Sequence, residues 1–201
     1  SMRGIVFEND NALIDCDLSN DYDGDSILGL PITPCVDIPN NPIIQIVENQ
    51  TNPAPGAGPY PYGNVTYEII MSNVDTIAHH IKFKDTQFSQ GTGILQSIIC
   101  TSTTGGAVCP SNLNENIGVA NSQGDTFWEI LDTDSFIMPA NSTIPYEKII
   151  DWTPICSVLS TNVQDNLEMS ALDSSLSVIA TASAGVATPM VPCVDLVVQT
   201  Y

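Results

Sequence analysis

Basic residues are the scarcest feature of this chain: 4 Lys+Arg stand against 23 Asp+Glu among 201 residues, a net charge of −19. A field that negative repels phosphates, which excludes nucleic acid as a partner. Charged residues of both signs reach only 13%, about half the usual share of roughly a quarter, so Asn, Ser and Thr must supply the polar surface. Long apolar runs are missing as well. None approaches the roughly 18 residues of a spanning helix, so this segment reads as one that does not cross a bilayer. No Gly-x-Ser-x-Gly elbow, His-Glu-x-x-His pair or Gly-rich phosphate loop occurs, so nucleophilic, zinc-peptidase and nucleotide chemistries lack their markers and the chain reads as a non-enzyme. Carboxylates are plentiful, but the pair that hydrolyses a glycoside is defined by its separation in the fold, not in the chain. The mean hydropathy of +0.11 argues for a folded core rather than a solvated coil.

The cysteines are even in number: Cys16, Cys35, Cys100, Cys109, Cys156 and Cys193. None has the Cys-x-x-Cys spacing of a zinc knuckle or redox motif, which points to disulfides in an oxidising, extracellular setting. Cys100 and Cys109 bracket a Thr-Ser-Thr-Thr-Gly-Gly-Ala-Val turn and are expected to pair. Cys16–Cys35 and Cys156–Cys193 follow if each remaining pair closes locally, although six cysteines allow other pairings.

An octapeptide occurs twice, as Pro31-Ile-Thr-Pro-Cys-Val-Asp-Ile38 and as Pro189-Met-Val-Pro-Cys-Val-Asp-Leu196. A repeat so widely spaced reads as a repeated module boundary. It divides the chain into residues 1–38, the tail or linker of a preceding module, a main unit over 39–193, and 194–201, the first strand of a following repeat or a strand completing this sheet. Ser1-Met2 reads as a remnant of expression cloning.

Within the main unit the hydrophobic period is that of strands. Val65–Met71 is a β-rich run, and Ile77–Lys84 places Ile77, His79, Ile81 and Phe83 on one face with Lys82 and Lys84 on the other. Further strands are expected at Ile43–Val47, Ile94–Cys100, Phe127–Leu131, Thr143–Trp152, Asn166–Ala171 and Leu176–Ala184. Turn residues fill the gaps, at Asn52–Pro59, Gly91–Gly93, Gly105–Gly106 and Pro139–Ser142. Many short strands with Gly/Pro turns and no sustained helical stripe predict an all-β chain, an antiparallel β-sandwich with flanking extended segments.

The order of these segments resembles the bacterial surface-protein repeat known as DUF11, an immunoglobulin-like module. The matching stretches are Ile44–Gly56, Val65–Asn73, His80–Thr86, Cys100–Pro110, Phe136–Thr143 and Ser177–Ala184, and Asp195–Val198 is similar to the opening strand of a further copy. The resemblance implies a module strung in tandem in secreted or cell-surface proteins, commonly adhesins or stalks, with no family-wide catalytic residues. Its implied partners are neighbouring repeats of the same chain and a surface or host glycan or protein. Some related repeats carry a lysine in the first strand that forms an isopeptide cross-link. Here Glu48 and Asn49 occupy that stretch, which argues against such a link through the first strand. The Asn112–Asp125 connection and the Pro-Tyr-Pro-Tyr62 loop also depart from the pattern by their length.

The residues themselves offer three further candidates. Asp15, Asp17, Asp21, Asp23 and Asp25 crowd a segment containing Gly24, and oxygens at alternate positions of a short turn suit calcium. An EF-hand is excluded, because its first ligand and terminal Glu positions fall on Ser19 and Leu30. Without a cation, those aspartates would repel and stretch a linker. His79 and His80 are adjacent and would face opposite sides of a strand, so they do not converge on one ion. Tyr60, Tyr62, Trp128 and Trp152 could supply a binding surface. Trp152 closes an alternating run and reads as core, whereas Tyr60 and Tyr62 in their Pro-rich loop are the expected contact residues. Alongside the spacer or adhesive repeat, two further roles stay open: a ligand-binding adhesin domain, and a filament subunit that inserts its last strand into a neighbour's sheet edge.

Overall fold

The computed structural model of the chain describes residues 43–56, 63–89, 91–111, 113–131, 136–153 and 162–190. Its elements are β1 (Ile44–Asn52), β2 (Gly63–Asn73), β3 (His79–Gln87), β4 (Thr92–Cys100), β5 (Asn114–Glu115), β6 (Ala120–Asn121), β7 (Thr126–Ile130), β8 (Ile137–Met138), β9 (Ser142–Thr153), β10 (Asn162–Val163), β11 (Asp165–Leu172), β12 (Val178–Ala184) and β13 (Thr188–Pro189). One sheet has the order β1-β2-β9-β4-β6, and the other the order β12-β11-β3-β7-β5 with β8 paired to β3; β10 and β13 form a small separate pair. Every ladder pairs antiparallel. This is the all-β sandwich that the strand period implies. Among the described residues no helix is long and apolar enough to cross a membrane, which says nothing of strands that might.

Alternation along each long strand decides what is buried, because successive side chains point to opposite faces of a sheet. On β2 the inward residues are Val65, Tyr67, Ile69 and Met71, and on β9 they include Ile144, Tyr146, Ile150 and Trp152. From the opposite sheet come Ile81 and Phe83, Phe127, Trp128 and Ile130, and Leu167 and Met169. Trp128 stacks at 4.3 Å from Phe83 and 4.9 Å from Tyr146. It is fully buried and belongs to the core, as Trp152 does, so neither tryptophan contributes to a contact surface.

All eight expected strands are present, with two shifts at their starts. Ile77 does not share the inward face of His79, Ile81 and Phe83: it is exposed and precedes β3. The cause is local, since the Asn73 side-chain amide holds the Ile77 carbonyl at 2.9 Å and turns the chain before the ladder starts. Likewise β12 opens at Val178 rather than Leu176. Asp173 Oδ1 accepts hydrogen bonds from the backbone N–H groups of Ser175 and Ser177, which leaves Leu176 in a tight turn at φ 62°. The two-residue strands lie in segments too short for any period to announce them.

The disulfide Cys100–Cys109 is formed as expected and closes the loop after β4. Gly105 lies within it at φ 64°, and a Cβ there would stand 2.4 Å from the Asn141 carbonyl oxygen. Only glycine permits both the backbone conformation and the close approach to the start of β9. Gly93 has the other steric role: a side chain there would run into Phe127 and Trp152, whose rings meet edge to face at 6.0 Å.

Candidate functional site

Among the buried positions of the described residues, four carry an acidic or lysine side chain. On β1 the buried face reads Ile44, Ile46, Glu48, Gln50, and on β9 Lys148 falls between Tyr146 and Ile150. On β3 the run Ile81, Phe83 continues into Asp85, and β11 opens with Asp165 before Leu167. Lys148 and Glu48 belong to one sheet, Asp85 and Asp165 to the other. Lys148 and Asp85 are fully buried, Asp165 is 1% exposed and Glu48 6%.

The four meet at one point. Lys148 Nζ lies 2.8 Å from Glu48 Oε1 and 2.8 Å from Asp85 Oδ2, and it donates to Asp165 Oδ2 in the closest of the three contacts. Tyr67, directly opposite Lys148 in the β2–β9 ladder, places its ring 5.2 Å from Nζ. Two carboxylates have further anchors: Asp85 Oδ2 accepts from Trp128 Nε1 at 2.9 Å, and Glu48 Oε2 accepts from the Val186 backbone N–H at 3.1 Å. Among the described residues Asp165 has no such anchor, and its Oδ1, like Asp85 Oδ1, is buried without a hydrogen-bond partner.

Charge balance governs the protonation of this cluster. One ammonium cannot neutralise three carboxylates, and isolated charge in a dry interior is costly. Burial pushes the Glu48 carboxyl well above its ordinary range, with the Lys148 charge opposing and the Asp165 and Asp85 charges reinforcing. Burial likewise pushes Asp85 up to about 7, again against the pull of Lys148. For Lys148, burial alone would favour the neutral amine, but the surrounding Asp165, Asp85 and Glu48 charges outweigh it and hold the ammonium firmly against loss of its proton to solvent. Burial thus keeps the Glu48 and Asp85 carboxyls protonated beyond the usual carboxylate range while Lys148 stays an ammonium.

A second polar chain runs beside it. Trp152 Nε1 donates to Tyr67 Oη at 2.9 Å, which meets Thr188 Oγ1 at 2.9 Å; Thr188 donates to Gln50 Oε1 at 3.0 Å and Gln50 Nε2 to the Pro53 carbonyl at 2.6 Å. Burial drives the Tyr67 phenol upward, so it stays protonated and serves as a donor.

Other sequence candidates fall differently. His79 is buried and His80 half-buried, on opposite faces of β3; His79 Nε2 contacts Asp75 Oδ2 at 2.7 Å. That contact, chiefly through its hydrogen bond, holds the Asp75 carboxyl below its usual range. Asp15, Asp17, Asp21, Asp23, Asp25, Tyr60, Tyr62, Cys16, Cys35, Cys156 and Cys193 lie outside the described residues, as do the segments 1–38 and 194–201. The Lys148 cluster was not anticipated, although its signal is in the sequence: a lysine at the inward parity of an apolar strand needs a buried counter-charge.

No protein-family model matches the chain, and no curated protein sequence matches it. Solved structures show distant similarity to bacterial surface β-sandwich domains. The full-length major pilin SpaD from Corynebacterium diphtheriae is similar at 9% identity and a TM-score of 0.49, over 73% of this chain and 34% of the pilin. The chain thus spans about a third of that protein. A collagen-binding domain from a Staphylococcus aureus adhesin is similar at 9% identity and a TM-score of 0.38, over 72% of this chain and 96% of the domain. AvmM, described as catalysing macrocyclization in alchivemycin A biosynthesis, is similar at 7% identity and a TM-score of 0.39, over 76% and 92%. At these identities none of them lends this chain an activity or a ligand.

Proposed function

We propose that the chain is a load-carrying module of a secreted or cell-surface bacterial protein, a spacer or adhesive repeat of the DUF11 type rather than an enzyme. The observation that carries this reading is the course of the two terminal segments of the sandwich. The Val186 N–H bonds Glu48 and Thr188 bonds Gln50, so residues 186–188 advance beside β1 in the same direction. Among the described residues the sandwich therefore begins at the Ile44 end of β1 and its last segment runs toward the Asn52 end. Tension applied between these ends draws β1 along its ladder with β2, which loads those backbone bonds together in shear instead of peeling them one by one.

Several features support an extracellular setting: the formed Cys100–Cys109 disulfide, and an acidic surface that keeps tandem copies from associating. The partners under this reading are neighbouring repeats, with a glycan or protein contacted through the Tyr60 and Tyr62 loop. Calcium held by Asp15, Asp17, Asp21, Asp23 and Asp25 would stiffen the joint to a preceding module. Single-molecule pulling of the full chain between marker domains tests the load-carrying role. Rupture well above the force of a marker whose strands unzip is expected; rupture at or below that force would contradict it.

A further inference from the structure

We propose that Lys148 and Asp165 react with each other to form an intramolecular amide that joins the two sheets, with Glu48 and Asp85 as the proton-transfer groups. The link does not require a lysine in β1, which has none. Here the lysine stands on β9, and β1 contributes a carboxylate instead.

Geometry selects the partners. An amine attacks a carboxyl carbon only when held against it, and positioning of this kind removes much of the barrier to a two-body reaction. Of the three carboxylates around Nζ, Asp165 is in closest contact and makes no other hydrogen bond among the described residues, so it can give up an oxygen without breaking an anchor. Asp85 is fixed by Trp128 and Glu48 by the Val186 N–H, while each keeps an oxygen at 2.8 Å from Nζ. That is the arrangement of a general acid–base pair beside a nucleophile and its target.

The step balances without a co-reactant. A proton passes from the Lys148 ammonium to the Asp165 carboxylate, leaving a neutral amine and a neutral acid, the pair that a dry site favours over separated charges. The Nζ lone pair forms a bond to Asp165 Cγ and the carbonyl π pair moves to oxygen. Glu48 or Asp85 takes a proton from nitrogen and delivers one to the departing hydroxyl. The C–O bond breaks, the carbonyl re-forms, and one water leaves. Nothing is oxidised or reduced. Glu48 and Asp85 each keep an oxygen at 2.8 Å from Nζ, and burial raises the proton affinity of both, that of Asp85 to about 7, which suits them to take up and pass on a proton; exclusion of solvent protects the product from the reverse hydrolysis.

The test is intact-mass analysis of the purified, disulfide-reduced full chain. The expected mass is one water below that calculated from the sequence. A Glu-specific protease then releases the peptide Lys148–Glu168, which should be one water light and give no backbone fragments between positions 148 and 165. Asp165→Ala should restore the full mass. Glu48→Gln and Asp85→Asn should slow the appearance of the lighter species after refolding, a kinetic readout that loss of packing alone would not produce. A wild-type chain that is folded by circular dichroism and still has its full mass after days at neutral pH overturns the proposal whatever the variants do. A link mapped to Asp85 or Glu48 overturns the choice of Asp165.

Discussion

The indole Nε1 of Trp128 donates to Asp85 Oδ2 at 2.9 Å, and that same oxygen faces Lys148 Nζ at 2.8 Å. The tryptophan thus fills the core with its ring and steers a buried carboxylate with its edge. Trp128→Phe keeps most of the packing but removes the donor. A hydrogen bond to a charged group is worth about 1.5–3 kcal/mol, and a loss of stability of that order is expected in urea unfolding above the range in which Asp85 holds its proton, at a pH of about 8, with an unchanged m-value. A loss below about 0.5 kcal/mol would mean that the bond contributes nothing net.

The sandwich was legible in the chain because eight strands announce themselves by period and β-branched content, with turn residues between them. The Cys100–Cys109 pair was legible from its short Gly-containing loop. The Lys148 cluster was legible only by parity: Glu48, Asp85, Lys148 and Asp165 each fall in step with apolar neighbours on their own strands. What parity does not give is convergence. That depends on β3 and β11 being neighbours in one sheet while β1 and β9 share the other, a long-range property that no local run of residues encodes. The parallel course of β1 and residues 186–188 was hidden for the same reason.

Asp85 makes stability depend on pH in a defined direction. Its folded carboxyl keeps a proton up to about 7, chiefly through burial, against an ordinary value of 3.8 in the unfolded chain. Between these limits the folded state binds more protons, so this group's contribution to stability falls as pH rises from about 4 to about 7 and is level beyond. Amide formation would remove both the ammonium that lowers the Asp85 value and the Asp165 charge that raises it, while burial remains. Asp85→Asn abolishes the titration. The Tm of the variant relative to wild type should therefore climb across this pH range, and a constant difference would show that Asp85 does not titrate there.

The Cys100–Cys109 bridge closes a short loop, with a sequence separation of 9. Loop-closure entropy for so short a segment is worth about 2–3 kcal/mol. The double variant Cys100→Ala/Cys109→Ala should lose about that much in thermal or urea unfolding while keeping the wild-type far-ultraviolet dichroism. Unchanged stability would show that the turn around Gly105 and its contact with Asn141 hold the loop without the bridge.

The account as a whole turns on whether the two sheets are joined through Lys148 and Asp165, a sequence separation of 17. Pulling the full chain between marker domains, wild type against Asp165→Ala, reads this as the length released on unfolding. A covalent link hides the segment between those residues, so the wild type should release about 60 Å less chain than the variant, at roughly 3.5 Å per residue. Equal lengths released by the two proteins would contradict the account.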